Sequence, residues 1–428
     1  MTNHCVADSM LSLDGLLQES REGFQVLPTR LADMPSWHFC DGALSHVSGG
    51  FFSVVGVRLE PSESGPESDA LYLYQPQSAF NGLLTCDIEG QQHFLLQARA
   101  EPGNVGQAQF GPTVQSTPAN YLRLHGGKTT PYFEWFSTFR PDVQVLHDSV
   151  QLDLGGRYLF KSKRVVVARC PADTPVLEGF AWVPARLVNA AVGRSTFLNT
   201  DLGALFSLCA WDPAPGHLAP VASLVCESLR QPVRAEVLVG VVQALQGGAA
   251  AGYRLQDIAN MPGWRVADDG IFEVDGHQGF DVGYFQVEAC RREVARWQQP
   301  LIQSRTGGCV RLLCRVVDGV LEVCVRVAAE PGLQTGKALL PSHVRYPGVA
   351  RPDAAVPGRL LARTRESDEG GRFFQDVSVY ELILLDPLAE ADGQWLRVSE
   401  LRWFLSCSNF CTIQLRVLGS LLLGDLDF

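Results

Sequence analysis

Short runs in which apolar and polar residues alternate recur along the chain, separated by glycine and proline. The clearest runs are FFSVVGVRL (51–59), HFLLQARA (93–100) and LEVCVRVAA (321–329). Alternation with a period of two predicts half-buried strands, and the Gly and Pro residues between the runs predict turns. Runs with helical spacing follow the strands at 184–192 and 197–211, and again at 398–406 and 410–423. The pattern predicts an α+β protein.

This order of elements occurs twice, because four motifs of the first half return in the second at a nearly constant separation. The pairs are MPSWHF (34–39) with MPGWRV (261–266), YQPQS (74–78) with QQPLI (298–302), FLLQARAEPGN (94–104) with VCVRVAAEPGL (323–333), and LDLGGRYLF (152–160) with SDEGGRFFQ (367–375). Repetition in the same order predicts a tandem duplication. We therefore predict a first module over residues 1–212, a second over 213–428, and a Pro/Gly-rich connector at 211–220.

The two copies differ in their polar residues. Residues 110–127 read FGPTVQSTPANYLRLHGG, whereas the matching residues 339–356 read LLPSHVRYPGVARPDAAV. The second copy keeps the two prolines of the framework but lacks the Thr-Val-Gln, the Asn-Tyr and the Arg-x-His. Duplicated modules that share only a framework usually share only their fold, so we expect the first module to carry the main chemistry.

Composition and charge limit the partners. The net charge of -11 and the pI near 5.3 argue against nucleic acid and anionic membranes, because the field of the protein repels polyphosphate. The most apolar segment, 233–251, is interrupted by Arg234, Glu236 and Gln243, and no signal-peptide pattern follows Met1. We therefore expect a cytoplasmic protein that binds neither nucleic acid nor membrane.

The cysteines do not suggest a metal site. None of the twelve forms a C-x-x-C pair, and Cys314 and Cys324 fall in strand-like runs. Most are expected to be small buried apolar residues. No H-x-H, C-x-x-C or carboxylate pair in the sequence calls for a metal, so we expect none to be bound.

Three stretches together resemble the NDP-hexose 2,3-dehydratase family: residues 93–127, REVARWQQPL (292–301) and ESDEGGRFF (366–374). The resemblance covers almost the whole chain, including the duplication. It implies tandem modules of Nudix-like topology and a homodimer. It further implies the dehydration of dTDP-4-keto-6-deoxyglucose in the biosynthesis of antibiotic deoxysugars, followed by a 3-ketoreductase. The first module departs from the family at LYLYQPQ (71–77), where Trp-x-Gln-Pro is expected.

The implied reaction needs proton transfer and no redox cofactor. Removing the proton at carbon 3 leaves an enolate on the carbon-4 carbonyl, and this electron pair expels the carbon-2 hydroxyl. The resulting enol rearranges to a 3,4-diketo sugar. The protein must supply a base, donors for the enolate oxygen and an acid for the leaving hydroxyl.

Three residues are the candidates for this proton transfer. His125 is the first, because an imidazole titrates near neutral pH. Tyr121 can donate to the enolate or the leaving hydroxyl, and alternation along a strand would place it on one face with Arg123 and His125. His46, after a Gly-containing turn, is the third. A His or Tyr on a strand is more often a structural polar group, so both interpretations stay open. Glu101 precedes Pro-Gly in both modules, which favours a structural role.

A second group of residues is expected to bind the nucleotide sugar. Arginine forks suit a diphosphate, and Trp37 is the candidate for stacking on the base, although its repetition as Trp264 fits a core role equally. Gln115 and Asn120 offer paired amide groups for the base edge or the sugar hydroxyls. The expected binding residues are Trp37, Thr113, Gln115, Asn120, Arg123, Lys128, Arg157 and Arg372.

Two other functions compete with this interpretation. A Nudix-type nucleoside diphosphate hydrolase needs a metal-binding helix rich in glutamate, but Arg292-Glu293-Val294 continues with Ala295, and Tyr284 occupies the upstream glutamate position. A non-catalytic nucleotide-sugar binding protein is the second rival, with the diverged second module as its precedent.

Overall fold

The computed structural model describes residues 6–61, 67–123, 128–138, 140–209, 220–247, 252–292 and 294–424. The helices are α1 (Met10–Arg21), α2 (Pro118–Tyr121), α3 (Glu134–Ser137), α4 (Ala185–Val192), α5 (Thr200–Phe206), α6 (Pro220–Arg230), α7 (Ala235–Gln246), α8 (Val398–Ser406) and α9 (Ile413–Leu423), with 3-10 turns at Leu31–Asp33 and Ile258–Asn260.

The strands of the first half are β1 (Gln25–Pro28), β2 (Trp37–Cys40), β3 (Ala43–His46), β4 (Ser53–Leu59), β5 (Ser68–Tyr74), β6 (Ala79–Ile88), β7 (Gln91–Ala100), β8 (Ala108–Gly111), β9 (Val114–Ser116), β10 (Gln144–Leu152), β11 (Tyr158–Leu159), β12 (Ser162–Arg169) and β13 (Phe180–Pro184). Those of the second half are β14 (Tyr253–Gln256), β15 (Trp264–Ala267), β16 (Gly270–Glu273), β17 (Phe280–Glu288), β18 (Arg296–Ser304), β19 (Gly308–Val317), β20 (Val320–Ala329), β21 (Lys337–Pro341), β22 (His343–Arg345), β23 (Gly358–Ser367), β24 (Val377–Leu385) and β25 (Gln394–Arg397).

Each half contains a seven-stranded mixed sheet with the same topology. The first has the order β10-β12-β6-β7-β13, with β8 on β7 and β9 on β6; the second has β23-β24-β19-β20-β25, with β21 on β20 and β22 on β19. In each sheet one pair is parallel, β12 with β6 and β24 with β19. The predicted α+β class and the repeated architecture are confirmed, as are the three clearest predicted strands.

The two smaller sheets exchange strands between the halves. Strand β1 of the first half pairs with β17 of the second, and β14 of the second half pairs with β4 of the first. Each module therefore completes a sheet of the other. This exchange fixes the modules against one another through backbone hydrogen bonds.

The helices that end the modules also pack together. Helices α5 and α9 lie side by side, and Ser420 Oγ donates a hydrogen bond to the carbonyl of Gly203 across them. Nearly all residues of both helices are buried. Asn199 caps α5, because its side chain accepts a hydrogen bond from the amide of Leu202.

Two expectations about the chain concern its linker and its apolar segment. Residues 211–219 of the predicted connector, with the predicted boundary after residue 212, lie outside the described residues; Pro220, its last residue, begins α6. Across the ranges given above, no helix combines the length and apolar character needed to cross a bilayer. Most of the described cysteines are buried, as predicted.

Candidate functional site

A cavity of about 360 Å³ lies between the two modules and is lined by residues of both. One side is an aromatic wall formed by Trp37, His46, Phe51, Phe52 and Trp297. The cavity also borders a charged cluster, which we define as Lys161, Lys163, Asp153, Asp201 and Glu369. Three of its members line the cavity: Lys163, Asp201 and Glu369.

The hairpin of β2 and β3 positions the aromatic wall. Trp37 and His46 are directly opposite each other in the two strands, and their rings meet edge to face at 5.4 Å. The indole of Trp37 donates a 2.8 Å hydrogen bond to the carbonyl of Gln298, which anchors the hairpin on the second module. The wall is therefore fixed from both halves.

His46 is a half-buried imidazole in this wall. Its Nδ1 lies 2.8 Å from Ser48 Oγ, and its ring packs against Phe51 at 4.5 Å. Burial, helped by the nearby His38, lowers the pKa of His46. The imidazole is therefore neutral at neutral pH, and its Nδ1 accepts a 3.2 Å hydrogen bond from the amide of Ser48.

The charged cluster is built around a buried lysine. Lys163 Nζ lies 2.5 Å from Asp201 Oδ1, 3.0 Å from Asp153 Oδ2 and 3.3 Å from Glu369 Oε2. Lys161 lies 2.6 Å from the same Glu369 oxygen and 3.5 Å from Asp153. All five side chains are largely removed from solvent, so the charges depend on one another.

Within this cluster the pKa values of Glu369 and Asp201 are shifted in opposite directions. Although burial opposes ionisation, Lys161, Lys163 and Arg372 hold the pKa of Glu369 well below its usual value. Burial raises the pKa of Asp201 against the attraction of Lys163, and the Glu369 and Asp153 carboxylates add to the rise. Asp201 is thus the carboxyl on the cavity wall that can carry a proton nearer neutral pH.

A chain of amides orients Asp201. Asn199 uses its oxygen to cap α5, so its Nδ2 donates to Gln115 Oε1 at 2.7 Å. Gln115 in turn presents Nε2, which donates a 2.8 Å hydrogen bond to Asp201 Oδ2. The helix cap therefore fixes which way the Gln115 amide faces.

The second module supplies the opposite side of the cavity through its Gly370-Gly371-Arg372 loop. The Arg372 guanidinium stacks on the Phe52 ring at 4.1 Å and donates a 3.0 Å hydrogen bond to Gln75 Oε1. The corresponding Arg157 of the first module lies over Phe280 of the second at 4.6 Å. Each arginine thus reaches into the other module.

Glu101 also lines the cavity. Its Oε1 accepts a 2.9 Å hydrogen bond from Arg99 Nε, whereas its buried Oε2 has no hydrogen-bond partner in the described part of the chain. A buried, unpartnered carboxylate oxygen on a cavity wall is available to accept a hydrogen bond from a ligand.

The structure brings together part of the predicted site. His46, Trp37, Gln115, Asn120 and Arg372 all line the cavity. The predicted residues Tyr121, Arg123, Thr113, Arg157 and Lys128 do not, and His125 lies outside the described residues, so its predicted role remains a prediction.

The prediction that Tyr121, Arg123 and His125 follow one strand is wrong for its described members. Thr117 is the N-cap and Pro118 the first residue of the short helix α2, which ends at Tyr121. Proline favours this first helical position, because it lacks the amide hydrogen that would be unpaired there. Tyr121 stacks on Phe133 at 4.5 Å, and Arg123 is exposed with a positive φ of 56°.

Two other predicted residues have structural surroundings. Thr113 is buried; its hydroxyl donates to the carbonyl of Leu95 and accepts from the amide of Leu84. Arg157 is buried between the modules, where it donates to the carbonyl of Pro347. Neither side chain faces the cavity.

Lys128 lines a second cavity of about 290 Å³ next to the first. Arg99 and Arg292 line both cavities, and Arg291 also lines the second. Arg99 and Arg292 therefore lie where the two cavities adjoin.

Sequence reasoning missed the charged cluster. One signal was present. Strand alternation places Lys163 on the same face of β12 as Val165 and Val167, and this face is buried. Its carboxylate partners come from distant parts of the chain, so no local pattern pointed to them.

A possible group of metal ligands occurs elsewhere. Ligand atoms of Cys309, His343 and Asp353 lie within 4.8 Å of one another. However, Arg345 donates two 2.8 Å hydrogen bonds to Asp353, and His343 Nε2 lies 3.0 Å from it. The bidentate arginine already occupies the carboxylate, so the group fits an ion pair better than a cation site.

The fold and the cavity define a duplicated α+β protein with a charged cavity lined by both of its modules. The family model for NDP-hexose 2,3-dehydratase matches residues 16–209 and 238–422, and the chain belongs to this family. The two matched segments correspond to the two modules.

Three curated relatives carry the same description, dTDP-4-dehydro-6-deoxy-alpha-D-glucopyranose 2,3-dehydratase. The relative from Streptomyces violaceoruber is 28% identical over 417 residues, covering 92% of each chain. That from Saccharopolyspora spinosa is 30% identical over 403 residues, covering 88% of this chain and 82% of its own. That from Amycolatopsis orientalis is 27% identical over 420 residues, covering 92% and 86%.

Proposed function

We propose that this chain is a hydro-lyase that removes water across carbons 2 and 3 of dTDP-4-keto-6-deoxyglucose in the cavity between its modules. Family membership and the substrate named for the three relatives support the reaction. The observation that carries the assignment of the site is the Asp201–Lys163 pair on the cavity wall.

Asp201 is the acid that protonates the leaving hydroxyl at carbon 2. Burial raises its pKa, so the carboxyl takes up a proton more readily than an ordinary aspartate, and the hydrogen bonds from Gln115 and Lys163 hold it in one orientation. A hydroxyl leaves as water when it receives a proton as its bond to carbon breaks.

His46 is the base that removes the proton at carbon 3. Its lowered pKa supplies a neutral imidazole, and Trp37 and Phe51 hold the ring in the aromatic wall. Electrons from the broken C–H bond move onto the carbon-4 oxygen as an enolate and then expel the hydroxyl. The carbonyl of the substrate thus provides the electron sink that a cofactor would otherwise supply.

The nucleotide part of the substrate extends from this site past the arginines shared by the two cavities. Arg99 and Arg292 line both cavities, and Lys128 lines the second cavity. Guanidinium groups suit diphosphate oxygens, so the diphosphate lies between the two cavities. Trp37, Asn120 and Gln115 contact the sugar or the base.

Further parts of the proposal follow from the family resemblance. They are a Nudix-like topology for each module, a homodimer, a cytoplasmic location and a 3-ketoreductase that consumes the product. Sedimentation velocity tests the homodimer directly.

The rival functions predict different outcomes of one experiment. The protein is incubated with dTDP-4-keto-6-deoxyglucose in heavy water, together with a 3-ketoreductase and its reduced nicotinamide cofactor to trap the product, and the products are analysed by mass spectrometry. The proposal predicts loss of one water and deuterium at carbon 2 of the trapped sugar. Cleavage of the diphosphate would indicate a hydrolase, and unchanged substrate would indicate a binding protein; either result contradicts the proposal.

A further inference from the structure

The second module contains a counterpart of the cavity, and a side chain fills it. Tyr346 follows β22 directly, as Thr117 follows β9, and these strands pair with β19 and β6 in the same way. Thr117 lines the cavity of the first module. Tyr346 is partly buried and packs against the Gly155-Gly156-Arg157 loop of the first module.

The surroundings of Gly156 and of its counterpart Gly371 show that one of the two sites is filled and the other is open. A Cβ at Gly156 would lie 2.5 Å from the Tyr346 ring, whereas a Cβ at Gly371 would meet Glu369 Oε1 at 3.8 Å. The space in front of Gly371 is therefore open where the space in front of Gly156 holds a phenol ring.

The Tyr346 hydroxyl makes a defined set of hydrogen bonds. It donates to Glu330 Oε1 at 2.7 Å and accepts from the amide of Gly156 at 3.2 Å. The Gln414 side chain lies beside the same hydroxyl. A carboxylate, a backbone amide and a side-chain amide thus surround one oxygen atom.

Each of these partners has a counterpart around the open cavity. Glu101 follows β7 as Glu330 follows β20, and Gly371 corresponds to Gly156. Asp201 is the second residue of α5, as Gln414 is the second residue of α9.

The counterparts differ in one informative way. In both carboxylates Oε2 is buried and has no hydrogen-bond partner among the described residues, but Oε1 of Glu330 accepts the bond from Tyr346, whereas Oε1 of Glu101 accepts one from Arg99. Arg372 stacks on Phe52, and Arg157 lies over Phe280 with the Tyr346 ring 5.4 Å away. The open cavity therefore lacks one hydroxyl-bearing group that the second module supplies from its own chain.

We propose that Tyr346 occupies in the second module the place that the substrate occupies in the first, and that its phenolic oxygen marks the position of a substrate hydroxyl. That hydroxyl donates to Glu101 and accepts from the amide of Gly371 and from Asp201. The inference rests on the proposed function, under which the hydroxyl is the one at carbon 2. It makes Glu101 a ligand-binding residue and Tyr346 the reason that the second module has no open counterpart.

Binding of two unreactive analogues tests the proposal without turnover. The probes are dTDP-6-deoxyglucose, which cannot eliminate because it has no carbon-4 ketone, and the same compound lacking the carbon-2 hydroxyl. Calorimetry on the wild-type chain is expected to show the first binding about 10- to 100-fold more tightly, as for a hydrogen bond to a charged group. In Glu101→Gln the two affinities converge, and in the matched control Glu330→Gln the difference persists.

A second variant tests the position of Tyr346. Thr117→Tyr places a phenol in the open cavity and is expected to weaken binding of dTDP-6-deoxyglucose at least 100-fold, with the melting temperature and circular dichroism showing a folded chain; Thr117→Val retains binding. Equal wild-type affinities for the two analogues, a difference that persists in Glu101→Gln, or no binding of either analogue would each overturn the inference. Because none of these measurements follows dehydration, failure here is distinguishable from failure of the proposed reaction.

Discussion

The amide of Gly103 donates a 2.7 Å hydrogen bond to the carbonyl of Gly370 in the other module. The duplication repeats this contact in the opposite direction, since Gly332 donates to Gly155 at 2.9 Å. The Glu-Pro-Gly motif of each module therefore packs against the Gly-Gly-Arg motif of the other. Two motifs found as sequence repeats are the two sides of one interface.

This contact leaves no room for a side chain. A Cβ at Gly103 would lie 1.5 Å from the carbonyl oxygen of Phe373. Gly103→Ala is therefore expected to lower the free energy of unfolding by about 3 kcal/mol or more, because backbone must move. Urea denaturation measures the change.

Gly15→Ala is the control for the alanine substitution. No atom lies within 4 Å of a Cβ at Gly15, and the residue is inside α1, where alanine is favoured by about 0.5–1 kcal/mol. We expect a small gain in stability. Equal stability of the Gly103→Ala and wild-type proteins would contradict the close packing of the modules.

The proposed base gives a prediction about pH. His46→Gln is expected to lower kcat about 10²–10⁴-fold, whereas His38→Gln, at an exposed position of the neighbouring strand β2, leaves it unchanged. Because burial lowers the pKa of His46 and the neutral form is the base, wild-type kcat/KM rises as pH rises through that pKa. If kcat/KM of the His46→Gln variant still rises with pH in the same way, the titrating group is not His46, which would contradict the assignment of the base.

The two arginines of the repeated motif are expected to differ in function. Arg372→Lys loses the stacking on Phe52 and the bond to Gln75, so KM should rise about 10-fold or more. The matched variant Arg157→Lys removes a contact between the modules and should lower the melting temperature without changing KM. Steady-state kinetics with both variants make the comparison. Equal increases in KM would place ligand contacts at both arginines.

A buried carboxyl outside the site predicts how stability depends on pH. Burial raises the pKa of Glu366 to about 8, although Thr364 donates a 2.9 Å hydrogen bond to it. The folded state therefore retains a proton that the unfolded state releases above its ordinary pKa. This contribution to stability is complete at low pH and is lost as pH rises towards 8, by about 1.4 kcal/mol per pH unit.

Glu366→Gln removes this dependence. The free energy of unfolding of both proteins is measured by denaturant unfolding between pH 5 and pH 8. As the pH rises, the wild type is expected to lose stability relative to the variant. Parallel curves would show that Glu366 ionises normally in the folded chain.

The sequence predicted the framework because duplication and alternation are local signals. Residues 93–100 and 321–329 form matching strands β7 and β20, and the repeated motifs align. The exchange of β1 and β14 was not predictable in this way, since a four-residue strand pairs equally well within its own module or with another.

The candidate site was predicted less completely. Trp37, His46 and Arg372 lie in or near sequence motifs and were predicted. Asp201 and Glu369 were not predicted, because they pair with Lys163, which is remote from both in sequence. The strand proposed through Tyr121 was wrong because Thr117-Pro118 is a helix start, a signal that outweighs alternation over a few residues. Glu101 was interpreted as structural because Glu330 repeats it, yet Glu330 bonds the tyrosine that fills the second module.

The most direct test of the central claim is the rate of dehydration by Asp201→Asn, measured by mass spectrometry of dTDP-4-keto-6-deoxyglucose with the product trapped by a 3-ketoreductase. The amide keeps the size of the side chain but cannot supply the proton, so kcat is expected to fall about 10²–10⁴-fold while the affinity for the unreactive analogue dTDP-6-deoxyglucose changes little. An Asp201→Asn protein that dehydrates the substrate at the wild-type rate would contradict the assignment of the acid and, with it, the site.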